Sequence, residues 1–104
     1  MFILQEMLFY VVNALENLCE KNKNIKILEV SKYEIISQDM ENKFVVSLQM
    51  FDGENPNIEI RTYHEDYPDV VEVDKFMWRG PTKTKWLVYT IEEHFDKLTS
   101  KLGV

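Results

Sequence analysis

A chain of 104 residues with 45% apolar side chains is long enough for one hydrophobic core and too short for two, so residues 1–104 are expected to form a single domain. Eighteen acids against 12 lysines and arginines leave a formal charge of −6, which opposes binding to nucleic-acid backbones unless the bases are sharply segregated. One cysteine, Cys19, excludes an internal disulfide and fits a reducing compartment. Glu6 interrupts the apolar start, no base precedes Lys21, and the run Met7–Val12 falls far short of the roughly 20 residues of a membrane span. A cytoplasmic protein with no membrane association is the expectation.

Residues 2–21 read as a helix, because Leu4, Leu8, Val11, Leu15 and Leu18 recur at steps of three and four. Glu6, Asn13, Asn17 and Glu20 fall on the far side, and Phe2 and Phe9 fall among them. Either a loop or the other helix covers these two aromatics, or they belong to a partner surface. Segments 25–38, 43–51 and 58–64 read as strands, with Phe44, Val46, Leu48 and Met50 alternating in the second. A phase slip between Ile27 and Leu28 predicts a bulge or bend. Asp39–Asn42 supplies a tight connection, and DGENPN (52–57) is the strongest turn signal in the chain.

Pro68 favours extended backbone at Tyr67, and 70–78 reads as a fourth strand at an edge. Arg79-Gly80-Pro81 turns the chain into the last helix, which has two candidate starts. Thr90 with Glu93 fits a capping box and would leave Lys85–Tyr89 as a short strand; Thr84 as the cap would place Leu87 inside the helix. Either way Ile91, Phe95, Leu98 and Leu102 line one side. The predicted fold is α+β: an N-terminal helix, an antiparallel sheet of three to five strands and a C-terminal helix, with both helices on one face of the sheet. This order also occurs in double-stranded-RNA-binding domains, but the basic cluster that opens their second helix is replaced here by Glu92 and Glu93, so that comparison fails.

Two histidines, one cysteine and three glycines limit the catalytic vocabulary. The chain has no G-x-S-x-G elbow, phosphate-binding glycine loop, Cys-x-x-Cys or H-E-x-x-H, which argues against an enzyme and against a cofactor. Cys19 lies beside the apolar stripe and reads as a structural thiol. His64, Glu65 and Asp66 alternate in direction on extended backbone, and His94 and Asp96 diverge on a helix, so both sets read as solvated rather than as metal ligands.

The segment HEDYPDVVEVD (64–74) holds five acids and no base. On an extended chain Glu72 and Asp74 project from one face about 7 Å apart. Carboxylates with interspersed aromatics match a basic surface that otherwise takes nucleic acid, although acids also serve simply to keep an edge strand soluble. The following KFMWRGPTKTKW (75–86) mixes bases with Trp78 and Trp86, but its field is offset by the adjacent acids within a Debye length of about 8 Å. Direct nucleic-acid binding is therefore not the reading, and the tryptophans are core or interface anchors.

The leading expectation is a small acidic protein-interaction module, of inhibitor or immunity type, whose partner is a protein with a basic, nucleic-acid-handling surface. Its contact residues would be Glu65, Asp66, Tyr67, Asp69, Glu72, Asp74 and Trp78, with Phe2 and Phe9. The rival is a small-molecule-binding domain or small enzyme with a pocket between sheet and helices, drawing on Tyr33, Tyr63, His64, Trp78, Arg79 and Tyr89. A third reading is a self-associating subunit, a homodimer through the N-terminal helix.

Overall fold

Leu4, Met7, Val11, Leu15 and Leu18 become the buried stripe of α1 (Ile3–Lys21) in the computed structural model, which describes residues 3–80 and 85–104. Five strands follow: β1 (Ile25–Val30), β2 (Glu34–Asp39), β3 (Phe44–Phe51), β4 (Asn57–His64) and β5 (Tyr67–Met77). They pair antiparallel in chain order, so β1 and β5 are the edges. The last helix, α2, runs from Lys85 to Leu102. This is the α+β architecture expected from the sequence. No helix among the described residues is long and apolar enough to cross a membrane.

Burial alternates residue by residue along β2, β3 and β4, so one side of the sheet is covered and the other is not. On the covered side α1 lies over β1 and β3, and α2 lies over β4 and β5. Ile35, Leu48 and Ile60 stand in register across the three central strands, each completely buried. Met7, Val11 and Leu15 of α1 and Leu87 and Ile91 of α2 join them in one core. Burying each such side chain contributes roughly 2 kcal/mol relative to water.

Several boundaries differ from the expectation. The segment 25–38 is two strands, because the chain reverses through Ser31–Tyr33, where the Ser31 hydroxyl both donates to the Glu34 carbonyl and accepts from the Glu34 amide. The irregularity anticipated near Ile27 is present as a register shift between Ile27 and Glu29. β5 starts at Tyr67, three residues before the expected position. Lys85–Tyr89 is helix rather than strand: Leu87 reaches the core from the first turn of α2, and that burial outweighs the local β-propensity. The alternative cap, Thr84, lies outside the described residues.

The β2–β3 turn is built by Asp39, which is buried and accepts from the Glu41 and Asn42 amides at 3.0 and 2.9 Å and from the Asn42 side chain at 3.1 Å. Its neighbour on the covered face, Ser37, is also buried, but the Ser37 hydroxyl has no partner among the described residues. Ser37→Ala removes that orphan donor and keeps the Cβ, so it is expected to raise unfolding free energy by about 1 kcal/mol. Urea denaturation measures the change; a loss of stability would mean that the hydroxyl has a bridging water.

Candidate functional site

The helix-free face of the sheet is crossed by side-chain rows set by the strand register. Gln38, Val45, Tyr63 and Val71 form one row, and Ile36, Ser47, Arg61 and Val73 the next. Glu34, Gln49, Glu59 and Lys75 form a third, and Phe51, Asn57 and Met77 complete the far end. Phe51, Val71, Val73 and Met77 are exposed apolar side chains, while Ile36, Val45 and Tyr63 are half-buried. A groove of about 500 Å³ runs over this face, with Glu34 and Ile36 on one bank, Pro68 and Val71 on the other, and Val45, Ser47, Arg61 and Tyr63 along its floor.

The charges on this face are unevenly compensated. Glu59 takes both cations, Arg61 at 2.6 Å and Lys75 at 3.9 Å. Glu34, half-buried, accepts only from neutral donors: the Ser47 hydroxyl at 2.8 Å and the Gln49 amide at 3.3 Å. No lysine or arginine among the described residues lies within salt-bridge reach of it. Glu34 is therefore a carboxylate in a partly apolar groove, held in place by dipoles and open to a cation from outside.

The five acids of the 64–74 segment do not gather into one place. Glu65 accepts from Gln38 at 3.2 Å and Asp66 pairs with Lys43 at 3.5 Å, both in the turn between β4 and β5. Glu72 and Asp74 share a face, as the alternation requires, but that face looks toward α2, where Glu72 pairs with Lys101 and Asp74 meets His94 at 2.6 Å. Asp69 is exposed and has no salt bridge among the described residues. Tyr67 is exposed beside His64, ring centroids 5.4 Å apart. Trp78 is half-buried against the core and Tyr10, well removed in register from the turn acids.

Phe9 is exposed on α1, so no loop or helix covers it; Phe2 lies outside the described residues. Trp86, expected as an anchor, is exposed on the first turn of α2 and meets Tyr89 edge to face at 6.4 Å.

The two histidines are buried, which corrects the reading of both as solvated. His64 closes β4 on the covered side, packs edge-on against Phe44 at 5.5 Å, and accepts the Asp66 amide at Nδ1. His94 has no solvent exposure and sits in the apolar stripe of α2 between Ile91 and Leu98. Its Nδ1 is 2.8 Å from the Thr62 hydroxyl and its Nε2 is 2.6 Å from the Asp74 carboxylate. A carboxylate only accepts, so Nε2 carries the proton, and in the neutral ring Nδ1 accepts from Thr62.

Hydroxyl, imidazole and carboxylate follow the order of a nucleophile, base and orienting acid. Thr62 and His94 are both 0% exposed, however, so a substrate has no route to the hydroxyl. The chain of bonds is an internal strut between β4, α2 and β5. Burial also pushes the half-buried Cys19 thiol above its usual range, against its use as a nucleophile.

The six residues of the rival pocket are dispersed. Tyr63 lines the groove on the open face, His64 a cleft under the covered side, and Tyr89 the outer face of α2. None of these clefts joins two of the six. No group of three or more His, Cys, Asp or Glu side chains is arranged to hold a metal among the described residues.

Comparison of the chain with protein families, with curated proteins and with solved structures finds no match.

Proposed function

We propose that this chain is a protein-interaction module whose uncovered sheet face receives a segment of another protein carrying apolar side chains and a lysine or arginine. The observation that carries this reading is the open face itself. Exposed Val71, Val73 and Met77 on β5 and Phe51 on β3 share that face with Glu34 of β2, a carboxylate whose partners among the described residues are neutral. Apolar side chains on such a face gain from losing water, and a cation set against Glu34 gains a charge-assisted bond.

The net charge of −6 steers a basic partner toward the protein and speeds encounter. Proteins that handle nucleic acid present basic surfaces of this kind, so an inhibitor or immunity-type role falls within the same reading. Asp69 adds to the field near the groove, whereas Asp66, Glu72 and Asp74 are engaged within the chain and contribute less.

A blocked ten-residue peptide of alternating valine and lysine serves as the probe. Titrated into the labelled protein, it is expected to shift the resonances of Ile36, Val45 and Tyr63. Glu34→Gln is expected to weaken its binding about tenfold and to flatten the dependence on salt. Equal affinity for the Glu34→Gln variant, or shifts confined to the helices, would reject the open face as the site.

A further inference from the structure

Two carboxylates stand in one row of the open face, Glu34 on β2 and Glu59 on β4, and their oxygens are used differently. Glu59 meets a cation at each oxygen, Arg61 at Oε1 and Lys75 at Oε2. Glu34 has both of its bonds on Oε2, from the Ser47 hydroxyl at 2.8 Å and the Gln49 amide at 3.3 Å. Among the described residues its Oε1 accepts no hydrogen bond. That oxygen is also open to solvent, since the side-chain atoms buried there without a partner are Ser37 Oγ and Asn57 Oδ1 alone. A carboxylate oxygen offers about two lone-pair sites, so Oε2 is full and Oε1 is empty.

This asymmetry separates the two basic side chains. Arginine binds a carboxylate best as a fork, with one N–H on each oxygen. A fork on Glu34 has to take Oε2 from Ser47 or Gln49, and it leaves that half-buried donor without its partner. End-on at Oε1, a guanidinium keeps its charge but loses the second bond. Lysine gives up nothing in the same arrangement, because its ammonium is a compact charge that one oxygen can satisfy. The walls suit it as well. Half-buried Ile36 and Val45 line the same groove as Glu34 and offer apolar surface to a lysine's methylene stem.

We infer that the cation received at Glu34 is a lysine in preference to an arginine, with its ammonium end-on at Oε1 and Oε2 still held by Ser47 and Gln49. This rests on the reading of the open face as the docking surface and adds which basic side chain that face selects. The net charge of −6 draws both equally and does not make the choice. Ser47 and Gln49 make it, acting through the carboxylate they hold.

The test compares two blocked ten-residue peptides, alternating valine–lysine and alternating valine–arginine. Each is titrated into the whole labelled protein and into the Ser47→Ala/Gln49→Ala double variant. The unmodified protein is expected to bind the lysine peptide about fivefold more tightly, read from the shifts of Ile36, Val45 and Tyr63. In the double variant, with Oε2 released, the arginine peptide is expected to draw level or to bind more tightly. Equal affinities in the unmodified protein, or a preference for arginine, would overturn the selection of lysine and leave the open face as the docking site. A lysine preference that persists undiminished in the double variant would overturn the part given to Oε2. No shift at the three residues with either peptide would reject the docking face itself. The first comparison needs no variant, so it decides even where the double variant does not fold.

Discussion

Leu48→Ala is expected to lower unfolding free energy by about 3 kcal/mol, the usual scale for opening a cavity at a site packed on all sides. Leu48 is completely buried on the central strand, flanked in register by Ile35 and Ile60 and roofed by α1, within a core that α2 also joins. Against a total stability of roughly 5–15 kcal/mol the loss is large, and it corresponds to a fall in melting temperature of roughly 12–24 °C. Val73→Ala, on the open face of β5, removes a half-exposed side chain and is expected to change stability by no more than about 0.5 kcal/mol. Urea denaturation of the two variants measures the asymmetry between the faces. Equal losses would mean that something also covers the Val73 side, and the proposed docking face would disappear with the asymmetry.

That asymmetry was legible in the sequence because it depends on local period. The alternation of Phe44, Val46, Leu48 and Met50, and of Ile58 and Ile60, allows only one covered face, and the two amphipathic helices are what cover it. Turns carrying Gly, Pro, Asn or Asp were legible for the same reason. The Ser31–Tyr33 reversal was not, since it has none of these residues and depends on one serine hydroxyl bonding across it. The start of α2 was ambiguous because Lys85–Tyr89 suits a strand locally, and only the burial of Leu87 decides for helix.

The charged residues were the least legible. Five acids in one segment suggested one patch, but pairing depends on where distant chain elements return: Lys101 comes from the end of α2 and Lys43 from the β2–β3 turn. Glu34 attracted no notice because its meaning lies in having no cation in salt-bridge reach among the described residues, which spacing does not reveal. On the open face Glu34 and Glu59 balance Arg61 and Lys75, so its pull on a cation comes from Glu34, which has no ion pair among the described residues, and from the field of the whole chain, not from a run of carboxylates.

His94 offers the second large effect. A signal for its burial existed: it stands three residues after Ile91 and four before Leu98, in the phase of the apolar stripe. Its partners are 32 and 20 residues away in the chain, so no local pattern identified them. His94→Leu leaves the Thr62 hydroxyl buried without a partner and is expected to cost about 2–3 kcal/mol. Thr62→Val leaves Nδ1 of His94 unpaired and is expected to cost about 1–2 kcal/mol. Replacing both partners with apolar groups of similar shape removes the two orphans together. The double variant is therefore expected to lose about 1–2 kcal/mol less than the sum of the single losses. Asp74 is half-exposed, so water takes over its bond when the imidazole is gone, and the coupling is confined to the buried pair. Urea denaturation of the four proteins gives the cycle. Strict additivity would show that Thr62 and His94 share no bond, leaving Leu87, Ile91 and Leu98 as what fixes α2 on the sheet. A coupled loss would mean that the Thr62–His94 bond pins α2 to β4, in addition to the apolar contacts of Leu87, Ile91 and Leu98.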